Sequence, residues 1–261
     1  MKPVTVLYLL LILTLSSCAK RDLNQLLEEA NRLKNENTPQ AWQKIRSNLE
    51  IIVREAKLDK HSEGSEKIYN FYVMSLIRTC VPEELKKTED IARKVANWFP
   101  ESFLSNYQLG EICLLEKDPR AAFPYLEKAV KLNPQNISAQ VLLLTAARES
   151  GEPSAGQYFE NASRLDIFRN NSKFYNSWGM WCVSQGLYPE AIRHFGKAHS
   201  LNPNALAPIL NMAIVYDNHL KMKRVARRYY LKYRELLAMN PATNTRQYHL
   251  PVQNRIRQLF H

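Results

Sequence analysis

Glycine is scarce in this chain, at 7 of 261 residues. Folds that rest on glycine-rich phosphate loops or on many tight hairpins need more backbone positions of positive φ, so neither is expected. Cysteine is scarce too. Cys18, Cys80, Cys113 and Cys182 form no C-x-x-C pair and stand at no metal-ligand spacing from a histidine. There is no H-E-x-x-H, no G-x-x-x-x-G-K-[ST] and no G-x-S-x-G, which excludes the signatures of zinc peptidases, P-loop nucleotide hydrolases and α/β-hydrolases. Apolar runs are short as well. The longest, Val4 to Leu15, has 12 residues, where crossing a bilayer as a helix takes about 20. What remains is 45% hydrophobic and 23% charged, enough to bury a substantial core.

That apolar run follows a short positive start, Met1-Lys2-Pro3, and leads into Leu15-Ser16-Ser17-Cys18. Positive start, short apolar region and small residues are the parts of an export signal. Leu, two small residues and Cys resemble the lipobox of bacterial lipoproteins. The resemblance implies cleavage before Cys18, removal of residues 1–17, and lipidation of the Cys18 thiol. One acyl chain holds a protein to a bilayer only marginally, at about 0.8 kcal/mol per buried CH₂, whereas two or three anchor it. Ala19 after the cysteine is similar to outer-membrane rather than inner-membrane lipoproteins. The same segment also fits an ordinary secretory signal whose cleavage site contains a cysteine.

The rest of the chain repeats itself. From Leu109-Gly110 the series Cys113, Ala122, Leu126, Ala129, Pro134 follows; from Trp178-Gly179, the same offsets give Cys182, Ala191, Phe195, Ala198, Pro203. The two glycines lie 69 apart, two units of 34 plus one residue. A further step of 34 reaches Ala213. The pattern resembles the tetratricopeptide repeat (TPR), W-x2-L-G-x2-Y then A-x3-F, Ala and Pro. It implies an all-α, right-handed α-solenoid of about six helix hairpins. In such pairs small residues let the two helices cross closely, so Gly110 is expected against the Ala122 and Ala129 side of its partner helix. Large residues such as Leu126 and Phe195 are expected to fill the space between neighbouring pairs. Gly151 and Gly186 sit where the turn between paired helices belongs.

The organisation read from the sequence is residues 18–60 as a lipidated start with a first helical pair, 61–240 as the repeat region, and 241–261 as a basic capping segment. Units 103–136, 172–205 and 206–240 are the clearest. The unit at 65–102 is weaker and that at 137–171 degenerate. In the unit at 206–240, Val225 and Lys232 stand where alanines are usual. On its second helix, Met222, Val225, Tyr229, Tyr233 and Leu236 are expected to form the buried stripe. Residues 242–250 read as irregular. Val252, Ile256, Leu259 and Phe260 mark a short helix that covers the last pair's apolar edge.

Candidates for chemistry are few. His194 and His199, five apart on one helix, diverge by more than a turn and are expected as surface residues. Cys113 and Cys182 read as small core residues. No metal, cofactor, small-molecule substrate or nucleic acid is expected, and no enzymatic activity. By the family resemblance, the first helix of each pair lines a groove for a peptide or partner helix. It would present Tyr107, Glu111, Leu114 and Leu115, then Val141, Thr145 and Arg148, then Lys173, Asn176, Met180 and Val183, then Leu210, Ile214 and Asp217. A second candidate surface is basic. From Lys221 to His261 there are 10 basic residues against one acid, Glu235, a balance of +9 in 41 residues within a chain of net charge +11. Arg224, Arg227, Arg228 and Lys232 form its centre. Two functions follow: a lipid-anchored adaptor of the bacterial envelope that binds a protein partner in its groove, with the outer membrane favoured, or binding of cell-wall polymer or anionic lipid through the basic end.

Overall fold

The computed structural model describes residues 24–55, 64–239 and 246–259, and every regular element among them is a helix. Cys18 and the export signal lie outside the described residues. The helices are α1 (24–36), α2 (Pro39–Glu55), α3 (Ser65–Arg78), α4 (Leu85–Trp98), α5 (Phe103–Leu115), α6 (Pro119–Leu132) and α7 (Ile137–Ser150). They continue as α8 (Gly156–Ser163), a four-residue α9 (Asp166–Arg169), α10 (Ser172–Ser184), α11 (Tyr188–Leu201), α12 (Leu206–Ile214), α13 (Lys223–Ala238) and α14 (Arg246–Gln258). Among the described residues six pairs result: α1/α2, α3/α4, α5/α6, α7/α8, α10/α11 and α12/α13, with α14 after the last. None of the described helices is long and apolar enough to cross a membrane. The chain forms two compact units, one through Ala139 and one from Gln140.

Local chemistry sets where the helices begin. The side chains of Ser102, Asp118, Asn136 and Asn171 accept hydrogen bonds from backbone N–H groups three residues on, at 3.3, 2.9, 2.9 and 3.2 Å. Each satisfies a donor that the first helical turn leaves unpaired. In the turns of α5/α6, α7/α8 and α10/α11 the chain enters the left-handed region once. Gly151 (φ 67°) and Gly186 (φ 73°) do so freely, whereas Lys117 (φ 63°) occupies the equivalent place after Gly110 with a side chain.

In the first unit, Ala30, Leu33, Trp42, Ile45 and Leu49 of α1 and α2 are buried with Ile68, Tyr72 and Leu76 of α3. A buried polar network then ties α3 to α5. Ser105 Oγ donates to Asn70 Oδ1 at 2.9 Å, Asn70 Nδ2 donates to Ser102 Oγ at 3.3 Å, and Gln108 Nε2 donates to the Asn70 carbonyl at 2.9 Å. Buried amides need such partners, and the network fixes the register of the two helices.

Two features of the packing differ from what the sequence suggests. Leu126 and Phe195, expected between neighbouring pairs, press on the glycine of their own pair. A Cβ on Gly110 would stand 2.4 Å from Leu126 Cγ, and one on Gly179 would stand 2.5 Å from the Phe195 ring. The glycines therefore make room for a large residue, and the alanines sit to either side of it, fully buried. The weaker unit at 65–102 inverts the arrangement in sequence: Leu76 takes the glycine's place and Ala92 the large residue's, both buried.

The second correction concerns α13. After Ile214 the helix widens into a π turn, Val215–His219, before Lys221 turns left-handed at φ 57°. The π turn takes in one extra residue, so the buried places expected at 225, 229 and 236 each move on by one, while Tyr233 stays buried. The buried stripe is Ala226, Tyr230, Tyr233 and Leu237 rather than 222/225/229/236, and Met222 is exposed. Ala226, fully buried, occupies the alanine place that Val225 held on paper. Ile256 of α14, with Val252 and Leu259 beside it, packs on Ala213, Ala226 and Tyr230. Residues 246–250, expected as irregular, are helical; Phe260 is outside the described residues.

Candidate functional site

In the first unit, Tyr107 and Leu114 of α5 are half-buried and Leu115 is exposed. Tyr107 stacks on Phe103 with ring centroids 5.8 Å apart, and burial pushes its hydroxyl pKa up. Glu111 is ion-paired to Arg78 of α3 at 3.2 Å. That pairing neutralises part of the stripe and leaves Leu115 as its apolar end.

In the second unit, α7 exposes Val141, while Thr145 turns back to the Val141 carbonyl at 2.8 Å and Arg148 pairs with its neighbour Glu149 at 2.6 Å. On α10, Asn176, Met180 and Val183 follow one another at helical spacing, and Met180 is exposed. Asn211 Nδ2 of α12 donates to Asn176 Oδ1 at 2.9 Å, so the two amides form a fixed pair next to Met180. Asn176 Nδ2 in turn lies 3.8 Å from Met180 Sδ. Ile214 is half-buried, and Leu210 packs against the cluster that contains Ile256 of α14.

Asp217 does not belong to this face. The π turn carries it inward, and it is 3% exposed. Arg255 of α14 donates to it from Nε and from Nη2, both at 2.6 Å, and Tyr230 Oη lies 3.3 Å from Asp217 Oδ2. The Arg255 hydrogen bonds hold the Asp217 carboxyl below its usual range, while burial and the carboxylate push Tyr230 up to about 12. Sequence reasoning missed this latch. The available signal was a single acid within an otherwise apolar first helix and an arginine adjoining the apolar stripe of the last one.

Of the basic residues, Arg224 and Arg228 are exposed and Arg227 is half-buried. Lys232 is exposed, with its Nζ 2.8 Å from His199 Nε2; the lysine's charge adds to desolvation in lowering the His199 pKa. His194, expected at the surface, is buried, its ring stacked 3.9 Å from that of Trp178. The indole excludes water there, and desolvation lowers the His194 pKa to about 4. Cys113 and Cys182 are buried core residues whose thiols burial pushes up to about 11.

No protein-family model matches the chain, and no curated protein matches its sequence. Solved structures do. YrrB, described as a TPR protein with an unusual peptide-binding site, is 18% identical and superposes with a TM-score of 0.55 over 72% of this chain and 91% of its own. MamA from residue 41 to its end, of Desulfovibrio magneticus RS-1, is 16% identical, with a TM-score of 0.54 over 72% of this chain and 98% of that one. The C-terminal part of a TPR repeat-containing protein of Cytophaga hutchinsonii gives 19% identity and a TM-score of 0.58, covering 82% and 80%. At such identities the likeness concerns the fold, and the fold agrees with the six helix pairs seen among the described residues and with the close crossings at Gly110 and Gly179: the chain is an all-α solenoid of the tetratricopeptide type.

Proposed function

We propose that this chain is a non-enzymatic, lipid-anchored scaffold of the bacterial cell envelope that holds a protein partner on the first-helix face of its second unit. The observation that carries the reading is the Asn176–Asn211 amide pair beside the exposed Met180. A peptide backbone offers an N–H and a C=O at each residue, and a side-chain amide can meet both. A pair of amides already locked together loses little rotamer entropy on meeting them. Met180 beside the pair, and Val141 on α7, supply deformable and apolar surface for a partner's side chains. The peptide-binding site named for YrrB supports the same use of this fold. The anchoring half of the reading rests on Leu15-Ser16-Ser17-Cys18, and Ala19 favours the outer membrane.

A photo-crosslinker placed at Met180 in the full chain, in cells of the source bacterium, tests the reading. A protein adduct that forms there, is absent with the crosslinker at Lys197 on α11, and is lost in Asn176→Ala is the expected result. Adducts that are equal at both positions, or insensitive to Asn176→Ala, overturn it. Mass spectrometry of the mature amino terminus tests anchoring independently: an acylated Cys18 is expected, and an unmodified one removes the anchor from the reading.

A further inference from the structure

The cations at the carboxyl end are not equally engaged. Arg255 is taken up by Asp217, and Lys232 lies against His199. Lys223, Arg224 and Arg228 make no ion pair among the described residues. These three and Arg227, together with Leu231 and Leu259, line a single hollow of about 370 Å³. A second hollow of about 320 Å³ adjoins it, lined by Val225, Arg228, Tyr229 and Lys232, so Arg228 borders both. Helix α13 has no acid in its first turn, and no side chain caps its start; its one acid, Glu235, comes three turns later. Like charges three or four residues apart on a helix repel, so four cations gathered on one hollow favour any anion that enters it.

The walls narrow the choice of anion. A soluble polyanion has no use for Leu231 and Leu259, whereas a phosphate carried on acyl chains uses both halves of such a lining. We propose that this hollow binds the headgroup of an anionic phospholipid. Arg224 and Arg228 grip the phosphate oxygens in their planar forks, Lys223 adds a point charge, and the two leucines meet the first methylenes. Leu259 stands at the end of α14, whose neighbouring turn is fastened by Arg255 to Asp217. The site therefore exists only once the tertiary structure is complete, and it is independent of the partner-binding face on α10.

The test is a calorimetric titration of the full chain in neutral detergent with dihexanoyl phosphatidylglycerol, dihexanoyl phosphatidylcholine or inorganic phosphate. The two lipids enter the micelle equally, so a difference between them reports the headgroup. Saturable binding of the phosphatidylglycerol alone is expected, about tenfold or more weaker for the Arg224→Gln, Arg228→Gln double variant and unchanged for Arg120→Gln, which lies in the first unit. Leu259→Ser is expected to weaken the phosphatidylglycerol as well, since the first methylenes lose a wall of the hollow. If both lipids behave alike, or the double variant binds as tightly as the parent, the proposal falls. Inorganic phosphate binding as tightly as the lipid also overturns it, and makes the hollow a site for the free anion.

Discussion

Arg255 reaches across from α14 to hold Asp217 through two hydrogen bonds of 2.6 Å, and the carboxylate it holds is 3% exposed. A charge so placed tolerates loss of its partner poorly, because water cannot replace the guanidinium. Hydrogen bonds to charged groups contribute roughly 1.5–3 kcal/mol, and the partial exposure of Arg255 argues for the lower part of that range. Arg255→Ala is expected to destabilise the second unit by about 2 kcal/mol and to release α14. Amide hydrogen exchange of residues 246–258 should accelerate far more than that of α10. Unchanged protection there would show that apolar contact alone seats the helix.

The glycines divide into three kinds, and alanine substitution separates them. Gly179→Ala drives a methyl group to 2.5 Å from the Phe195 ring, an overpacking that typically costs about 1–3 kcal/mol. Gly186→Ala meets nothing within 4 Å but must hold φ 73°, at about 1–2 kcal/mol. Gly196, inside α11 with open space around it, should gain about 1 kcal/mol from alanine. Lys117→Gly, at φ 63°, should also stabilise. Thermal unfolding midpoints that do not fall in this order would refute the packing described for the pairs.

Two buried groups make stability depend on pH in the same direction. His194 has its pKa lowered to about 4 in the fold, against 6.5 unfolded, so the unfolded chain binds the proton first. Its contribution is complete above about pH 6.5 and is lost as pH falls towards 4. Glu89, held to about 2 by hydrogen bonds from Lys86 and Arg93, contributes fully above 4.5 and loses that contribution between 4.5 and 2. Glu116, raised chiefly by desolvation, opposes part of the second effect. The denaturant midpoint should therefore drop between pH 7 and 5. In His194→Phe, which keeps an aromatic ring against Trp178, that drop should shrink, with His199 and its own lowered pKa leaving the remainder.

Thiol chemistry follows burial. Cys80 is half-buried, while Cys113 and Cys182 are buried with pKa values pushed up to about 11. A thiolate is the reactive form, so a disulfide reagent at pH 8 should label Cys80 quickly and the other two only on unfolding. With Cys18 acylated, the denatured mature chain would titrate three thiols; four would contradict lipidation.

The six pairs were legible because apolar residues recur at helical spacing whatever lies around them, and because Gly110 and Gly179 are followed by residues of the same kind at the same offsets. The start of each pair was less legible, since a cap such as Asn171 looks like any asparagine until its helix is placed. On the first-helix faces, sequence placed Met180 and Val141 where the structure exposes them, but it gave no sign that Asn176 and Asn211 meet. Their pairing joins residues 35 apart through the stacking of α10 on α12.

What the sequence alone determined is the all-helical repeat, because burying one apolar stripe per helix leaves little choice of partner once the small positions are set. Tertiary structure decided the register of α13, through a π turn that no local propensity announces and that moved Ala226, Tyr230 and Leu237 inward together. It also decided which charges remain available. Counting along the chain treats Arg224 and Arg255 alike, whereas folding buries a carboxylate beneath one and leaves the other beside a hollow, because charge is spent by proximity in space rather than in sequence.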